Sequence, residues 1–314
     1  MALAERNIMS SQSETSFYSK VLLFGEYSVI MQSKALAIPY ALFEGHLSFP
    51  REGERGRDPE LKSLADYMKT LALRDELPFP FDVTSFEFDV SQGLYFDSTI
   101  PQGYGVGSSG ALVAAVYDRY GCSRKKNTVS INELKVFLSK MESHFHGSSS
   151  GVDPLISYIN QSLLIDKTLG PVELPRYNEG KGSLFLLNTG RSRKTEPLVN
   201  LFLEKCKNED FRLACMEELS PITNGCITSF LEGQTKEMLK YFEKLSRFQL
   251  EHFNPMIPKL YRDIWKQGLE DKSYFLKLCG AGGGGFLMGI TPSLLNASKD
   301  LSGHELRSLF RFDS

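Results

Sequence analysis

The spacing of hydrophobic positions changes several times along the chain, and in the first half it predicts several strands. A short apolar run at residues 21–24 ends at Gly25, which predicts a strand and a turn, with a second strand at residues 29–30. Apolar and polar residues alternate around residues 47–49 and again over residues 86–90. This alternation is typical of half-buried strands, so both segments are predicted to be strands.

Apolar residues at helical spacing predict three helices in the same half. They cover residues 60–73, 108–120 and 132–145, and Asn132 is the predicted N-cap of the third. Residues 155–164 predict a helix that runs into a strand. Strands and helices therefore mix throughout this half, which indicates an α+β or α/β class.

The second half of the chain begins after a polar stretch, residues 175–182, that reads as a linker. A strand at residues 184–187 follows it and predicts a second domain. Four helices are then predicted, at residues 196–206, 210–223, 235–248 and 255–267. The last predicted feature is a strand, a glycine-rich turn and a strand over residues 276–290.

Composition narrows the class of protein. The 314 residues include 36 Lys and Arg against 38 Asp and Glu, a net charge of −2 that does not favour a nucleic-acid partner. The five cysteines are odd in number and none has Cys-x-x-Cys spacing, which is typical of reduced thiols in the cytoplasm. No apolar run approaches the roughly 18 residues of a membrane span, and the first residues lack the apolar core of a signal peptide. We therefore expect a cytoplasmic protein with no membrane or nucleic-acid partner.

Residues 101–111 form a glycine-rich segment directly before a predicted helix. Gly103, Gly105 and Gly107 alternate with other residues, so the backbone can approach a bulky anion closely. The unpaired N–H groups and the positive dipole end of the helix favour a phosphate there. Ser108 and Ser109 offer hydroxyls to phosphate oxygens or to Mg²⁺. The alternative is an ordinary glycine-rich turn with serine caps.

The same segment also matches Gly-x-Gly-x-x-Gly, over residues 105–110, which raises the alternative of a nicotinamide-dependent enzyme. That motif requires a clean parallel strand before it. Here Pro101 and Asp97 interrupt the preceding segment, so this alternative is weaker. No Walker-type Gly-x-x-x-x-Gly-Lys-[Ser/Thr] motif occurs in the sequence.

A second glycine-rich segment spans residues 280–285 and ends in four consecutive glycines. Their conformational entropy must be offset, and close contact with a ligand phosphate or with the other glycine-rich loop would do so. A flexible hinge is the alternative. The apolar residues on both sides favour a buried, defined turn.

Three charged residues are candidates for chemistry. Glu142 lies at the edge of an apolar helix stripe and could bind Mg²⁺, or could be a solvated surface charge. Asp153 stands in a loop before Pro154, where it could orient or accept the proton of an acceptor, or simply cap a turn. Lys20 precedes the first strand and could pair with Asp153 and stabilise a migrating phosphoryl group, or be an ordinary surface lysine.

His144 and His146 stand near Glu142 in sequence and raise the alternative of a zinc site. Residues two apart on a helix point in different directions, so the two imidazoles should not converge. We therefore do not expect zinc.

Three segments together resemble the GHMP kinases. They are Lys-Val-Leu-Leu-Phe-Gly-Glu-Tyr at residues 20–27, the glycine-rich residues 101–111, and Lys-Leu-Cys-Gly-Ala-Gly-Gly-Gly-Gly at residues 277–285. They occur in the family's order and span most of the chain. The pattern from Glu142 through His146-Gly147 to Gly151-Val152-Asp153 is most similar to the mevalonate kinase branch.

The resemblance implies an α+β fold with two domains. Residues 1–178 would resemble the second domain of ribosomal protein S5 and bind ATP, and residues 179–314 would be ferredoxin-like. It also implies a cleft between the domains where ATP, Mg²⁺ and a small-molecule acceptor meet.

The resemblance further implies roles for single residues. Asp153 would be the catalytic acid or base, with Lys20 as its cationic partner, while Ser109 and Glu142 would ligate Mg²⁺. The ATP-binding residues would be Gly103, Gly105, Gly107, Ser108, Ser109 and Gly110. The acceptor would contact Glu26, Tyr27, Thr195, Gly282 and Gly283.

The acceptor implied by the resemblance is mevalonate, phosphorylated on its primary hydroxyl in isoprenoid precursor synthesis. Tyr27 stands where mevalonate kinases usually have His, and it favours phosphomevalonate kinase as the alternative. Cys279 replaces a common Thr, and Gly110 a common Ala. A non-catalytic metabolite-binding protein of the same fold is a further alternative. The sequence leaves monomer and homodimer both open.

Overall fold

Two antiparallel sheets, one from each half of the sequence, organise the fold. The structure is a computed structural model that describes residues 15–51, 56, 58–121, 129–177, 179–192 and 196–313. Helices cover both sheets, which confirms the predicted α+β class.

The first sheet has five strands, and its long second strand joins three of the others. The strands are β1 (Phe17–Phe24), β2 (Ala35–Ser48), β3 (Tyr95–Ser98), β4 (Leu163–Ile165) and β5 (Leu169–Pro171). Their order is β1-β2-β4-β5, and β3 pairs with the far end of β2. All of these pairings are antiparallel.

Five helices accompany this sheet, and their apolar faces form a buried core with it. They are α1 (Pro59–Leu73), α2 (Val83–Ser91), α3 (Ser108–Tyr120), α4 (Ile131–His146) and α5 (Val152–Ile159). The helix α3 is buried almost throughout, because its small and apolar residues pack against both β1 and α5.

The second sheet has four strands in the order β7-β8-β6-β9. They are β6 (Gly182–Asn188), β7 (Phe275–Leu278), β8 (Phe286–Thr291) and β9 (Leu306–Phe312). The α-helices in the described residues of this half are α6 (Glu196–Lys205), α7 (Glu209–Ala214), α8 (Ser220–Leu231), α9 (Thr235–His252), α10 (Arg262–Asp271) and α11 (Leu294–Asp300).

The two halves share one hydrophobic core. The ring of Phe24, at the end of β1, lies 6.1 Å from the rings of both Phe230 in α8 and Phe242 in α9. The two sheets are separated in sequence between β5 and β6, where residue 178 lies outside the described part of the chain. The division into domains 1–178 and 179–314 stays a prediction.

Several local predictions were wrong. Residues 86–90 belong to the helix α2, whose N-cap Asp82 accepts a hydrogen bond from the Ser85 N–H. Residues 29–30 lie in a short 3₁₀ turn, Ser28–Met31, instead of a strand. The N-cap of α4 is Ser130, which forms a capping box with Glu133, and not Asn132.

Two helix predictions in the second half were only partly right. The predicted helix at 210–223 is α7 and α8 joined by a π-helical stretch, Cys215–Leu219. The segment predicted as a helix over 255–267 begins with two short 3₁₀ turns before α10.

Candidate active site

A cleft of about 460 Å³ lies where the two glycine-rich loops meet. It brings together residues that are more than 250 positions apart in the sequence, from Lys20 to Ala281. Its lining residues are Lys20, Glu60, Gln102, Gly103, Gly105, Gly107, Ser108, Ser109, Phe145, His146, Asp153, Gly280 and Ala281.

The first glycine-rich loop is hydrogen-bonded to β1 and leads into α3. The Lys20 N–H donates a hydrogen bond of 2.9 Å to the Val106 carbonyl, which fixes the loop to the strand. Gly107, the residue before α3, has φ +82°, and a Cβ there would come within 2.8 Å of the Lys20 side chain. Because the first N–H groups of a helix have no intrahelical partner, this arrangement turns a set of donors and a positive dipole end toward the cleft.

The predicted pair of Lys20 and Asp153 forms an ion pair in the cleft wall. The Lys20 Nζ lies 2.9 Å from the Asp153 Oδ2, and their side chains are 9% and 37% exposed. Burial by itself lowers the pKa of Lys20, but the Asp153 charge and hydrogen bond outweigh it, and the pKa is raised above its usual value. Lys20 is therefore a fixed positive charge, and Asp153 is accessible from the cleft.

Gly110 holds α3 and α5 close together at this pair. A Cβ on Gly110 would come within 2.9 Å of the Asp153 carbonyl carbon and 2.9 Å of the Pro154 nitrogen. Both are backbone atoms at the start of α5, so they could not move aside cheaply. Gly110 was predicted to bind ATP, but it is buried and does not line the cleft.

Glu142 is buried on α4 and is not the solvated charge that the sequence alone left open. Its carboxylate accepts hydrogen bonds from the Ser109 Oγ, at 3.2 Å, and from the Ser149 Oγ. Burial raises its pKa to about 7, and the nearby Asp153 charge adds to that effect. Ser109 and Glu142, the predicted metal ligands, are thus direct neighbours.

The two histidines near Glu142 face different surroundings. His146 lines the cleft, with its Nε2 at 3.0 Å from the Ser109 Oγ. The ring of His144 packs against Tyr67, with ring centres 5.0 Å apart. The divergence expected from helix geometry is confirmed, and these two imidazoles do not converge on one metal.

The second glycine-rich loop contacts the first one directly. Gly285 has φ +70°, and a Cβ there would come within 2.5 Å of the Tyr104 carbonyl oxygen. Gly280 and Ala281 line the cleft. Gly282 and Gly283, which were predicted to bind the acceptor, lie elsewhere: the Gly283 N–H donates a 2.6 Å hydrogen bond to the Met256 carbonyl. The contact of Gly282 and Gly283 with an acceptor stays a prediction.

The remaining predicted acceptor residues lie beneath the cleft or outside the described residues. Glu26 is buried and forms an ion pair with Lys277. Lys277 begins the third segment that resembles the GHMP kinases, but the sequence predicted no role for it. Tyr27 is buried, and its hydroxyl donates a 2.6 Å hydrogen bond to the Ala281 carbonyl. Thr195 lies outside the described part of the chain.

Comparison with known proteins agrees with this geometry. Residues 66–161 match the family model of the GHMP kinases N terminal domain. A curated mevalonate kinase from Thermococcus sibiricus is 25% identical to this chain in an alignment that covers 87% of each chain. The chain is therefore similar to the GHMP kinases in part of its sequence and in its fold.

Solved structures of GHMP kinases have the same fold. The mevalonate kinase of L. major in complex with R-mevalonate matches 97% of this chain and 98% of its own, with a TM-score of 0.62 at 14% identity. The phosphomevalonate kinase of Streptococcus pneumoniae in complex with phosphomevalonate and AMPPNP matches 94% of this chain and 99% of its own, with a TM-score of 0.64 at 13% identity. Identities this low show the fold alone, so they do not separate the two acceptors.

The geometry of the first glycine-rich loop does not favour the nicotinamide alternative. The strand before the glycine-rich loop, β3, runs antiparallel to its neighbour β2, whereas a dinucleotide fingerprint follows a parallel strand. No helix in the described part of the chain combines the length and the apolar character of a membrane span.

The donor set of the cleft fits Mg²⁺. Among the described residues, Glu142 and Asp153 bring two carboxylates next to Lys20, so together they outweigh this cation when both are ionised. Mg²⁺ is held in proteins by one or two carboxylates together with substrate phosphates. The Ser109 hydroxyl, already within hydrogen-bond distance of Glu142, supplies a further oxygen.

A second cavity of about 420 Å³ adjoins the cleft and extends it away from Asp153. The two share Glu60, Gln102 and Ser108 as lining residues. Phe96, Ile100 and Leu112 give this second cavity apolar side chains, as Phe145 and Ala281 do in the first cleft.

Proposed function

We propose that the chain is an ATP-dependent phosphotransferase with an alcohol group as acceptor. The proposed reaction converts mevalonate to 5-phosphomevalonate in isoprenoid precursor synthesis, in the cytoplasm. The observation that carries the proposal is the Lys20–Asp153 pair, 2.9 Å apart, in one cleft with the donors at the start of α3. Phosphoryl transfer requires this combination of a phosphate cradle, a cation and a group that orients the acceptor.

Each cleft residue then has a defined task. The backbone N–H groups around Gly105, Gly107 and Ser108 bind the phosphates, and the second cavity gives room for the nucleoside. Asp153 orients the acceptor hydroxyl and takes its proton as the hydroxyl oxygen bonds to the γ-phosphorus and the bond to ADP breaks. Lys20 keeps Asp153 ionised and stabilises negative charge on the transferring group.

Mg²⁺ would be held by Glu142 and Ser109 together with phosphate oxygens, and it supplies positive charge that offsets the charge of the phosphates. Without it, Glu142 has a pKa of about 7 and is only partly ionised at neutral pH. Its side chain is already oriented by Ser109 and Ser149, so no rearrangement of α4 is needed to present an oxygen ligand.

Mevalonate is preferred over phosphomevalonate as the acceptor for two reasons. The relative from Thermococcus sibiricus, aligned over most of both chains, is a mevalonate kinase. Tyr27, the residue that favoured phosphomevalonate kinase, is buried with its hydroxyl on the Ala281 carbonyl, so its presence does not select a phosphorylated acceptor by contact. Phosphomevalonate kinase remains the second candidate because the fold matches both.

The test is a screen for ADP release with Mg²⁺ and ATP against mevalonate, phosphomevalonate, galactose and homoserine. Turnover with mevalonate alone, or at a much higher kcat/KM than with the others, is the expected result. Turnover with phosphomevalonate alone would reverse the choice of acceptor. Tight binding of a metabolite without ADP release would instead identify a non-catalytic binding protein.

A further inference from the structure

The turn after β1 has a strained backbone. Tyr27 has φ +62° and ψ −40°, and the Ser28 N–H donates a 2.6 Å hydrogen bond to the Glu26 carbonyl across it. These angles are typical of the rare, strained form of the γ-turn, which persists only where its surroundings fix it. The surroundings of Glu26 and Tyr27 should therefore explain why the turn is kept.

Both side chains of the turn contact one short segment of the second half, residues 277–281. The Glu26 Oε1 lies 2.5 Å from the Lys277 Nζ, with the two side chains 2% and 0% exposed, and it is 3.4 Å from the Gly280 nitrogen. The Lys277 Nζ also donates to the Leu278 carbonyl at 2.7 Å. The Tyr27 hydroxyl holds the Ala281 carbonyl, and its ring stacks on Phe202 with ring centres 4.6 Å apart.

The contacts of Glu26 and Tyr27 extend to Gly280 and Ala281, the two residues of this segment that line the cleft. Gly280 and Ala281 form the wall opposite the first glycine-rich loop, and Lys20 and Asp153 line the same cleft. A buried ion pair is weak evidence for stability, because apolar residues of the same volume often stabilise a core as well. The Glu26–Lys277 pair adds directional bonds to a glycine-rich segment that has few side chains of its own to fix it.

We propose that Glu26, Tyr27 and Lys277 are positioning residues that set the place of the Gly280–Ala281 wall and thereby control how the acceptor fits against Asp153. We name these three residues the loop anchor. The inference rests on the proposed function, and it gives Glu26 and Tyr27 an indirect role in place of the predicted contact with the acceptor.

The chain offers a matched pair of variants for the test, Tyr27→Phe and Tyr177→Phe. Both tyrosines are buried and each donates a hydrogen bond to a carbonyl, Tyr177 to Phe230 at 2.7 Å, remote from the lining of the cleft. Each variant loses one hydrogen bond, so similar losses of unfolding free energy are expected. Tyr27→Phe should also lower kcat/KM for the acceptor about three- to tenfold, with less than a twofold change in ATP affinity. Tyr177→Phe should leave both unchanged.

Two outcomes would overturn the proposal. If Tyr27→Phe and Tyr177→Phe have the same kinetic constants, Tyr27 has a structural role only. If Tyr27→Phe weakens ATP binding as much as acceptor use, the wall serves the nucleotide and the anchor does not control the acceptor.

Hydrogen exchange tests the loop anchor independently of the proposed function. Amides of residues 278–283 should exchange faster in Tyr27→Phe than in the wild type, and not in Tyr177→Phe, whether or not any acceptor is turned over. Unchanged exchange there would contradict the anchor itself. A wild type that turns over none of the acceptors, with faster exchange in Tyr27→Phe, would contradict the proposed function and keep the anchoring of the loop.

Discussion

Two lysine–carboxylate pairs in the described part of the chain lie close to the cleft, and they differ in accessibility. Lys20 and Asp153 lie in the cleft wall, with the carboxylate side chain 37% exposed. Lys277 and Glu26 lie beneath the second glycine-rich loop and are almost fully enclosed. Each lysine lies on a strand, Lys20 on β1 and Lys277 on β7, so secondary structure alone does not distinguish the two pairs.

Their surroundings decide what each pair can do. Asp153 can exchange its interaction with Lys20 for one with a hydroxyl entering the cleft, because solvent and ligand reach it. Burial raises the pKa of Glu26, and the Lys277 ammonium opposes that rise. Removing one member of the Glu26–Lys277 pair would leave the other as a buried charge without a partner of opposite sign. We call Lys20–Asp153 the open pair and Lys277–Glu26 the sealed pair. The open pair is therefore suited to chemistry, and the sealed pair to fixing the position of the loop.

Removing one member of the sealed pair should have a large effect on stability. Lys277→Met leaves the Glu26 carboxylate buried without its cation, and we expect the free energy of unfolding to fall by about 3–5 kcal/mol. Urea unfolding followed by circular dichroism measures this. The matched control is Lys62→Met, which removes an exposed lysine from its pair with Asp66 at 3.1 Å, and its effect should stay below about 1 kcal/mol.

The double variant Lys277→Met with Glu26→Leu sharpens this prediction. Apolar side chains of similar volume replace both charges, so much of the lost stability should return. A double variant that is as unstable as Lys277→Met alone would show that the loss comes from packing and not from an uncompensated charge.

Neutralising the open pair should act on turnover instead. Asp153→Asn removes the group that orients and deprotonates the acceptor, and kcat should fall about 10²-fold or more with little change in ATP binding. The control is Asp166→Asn. Asp166 is also 37% exposed and lies 3.6 Å from Lys34, but it does not line the cleft. Turnover near that of the wild type in Asp153→Asn would remove Asp153 from the mechanism.

Displacing the open pair without changing its charges should have an intermediate effect. Gly110→Ala places a methyl group 2.9 Å from the backbone at Asp153, so the start of α5 must shift by a few tenths of an ångström. We expect kcat to fall about tenfold, since small displacements of catalytic groups are costly. Gly225→Ala, which crowds the Tyr241 ring in the second half, controls for lost stability and should keep its kcat.

Glu142, which lies beside the open pair, predicts a modest dependence of Mg²⁺ affinity on pH. The pKa of Glu142 is raised to about 7, so the site binds a proton more readily as the pH falls, and that proton competes with Mg²⁺. The apparent Mg²⁺ affinity in the presence of ATP should therefore fall about fivefold between pH 7 and pH 6. Glu142→Gln should raise the Mg²⁺ requirement and remove this pH dependence. An unchanged Mg²⁺ titration in the variant would take Glu142 out of the metal site.

The sequence predicted the open site better than the sealed one. Glycines at alternate positions and a helix starting at Ser108 are local signals, the pairing of Lys20 with Asp153 was implied by the family resemblance, and the cleft unites all three. The Glu26–Lys277 pair joins residues 251 positions apart, and no local pattern indicates which of several lysines would be buried.

Errors in the fold have equally specific causes. Over residues 86–90 apolar residues alternate for only three positions, and a nine-residue helix fits them as well as a strand does. The Ser130–Glu133 capping box was readable from the sequence and was overlooked in favour of Asn132. The sequence also does not indicate the hydrogen bond from Gly283 to the Met256 carbonyl, in the same loop as Gly280 and Ala281 of the cleft lining.

A crystal structure of the protein with a non-hydrolysable ATP analogue and Mg²⁺ tests the central claim most directly. The account predicts phosphate oxygens within hydrogen-bond distance of the backbone N–H groups between Gly105 and Ser109, with Mg²⁺ on Ser109 and Glu142 and the γ-phosphate facing Lys20 and Asp153. A triphosphate bound elsewhere, with that cradle empty, would contradict it.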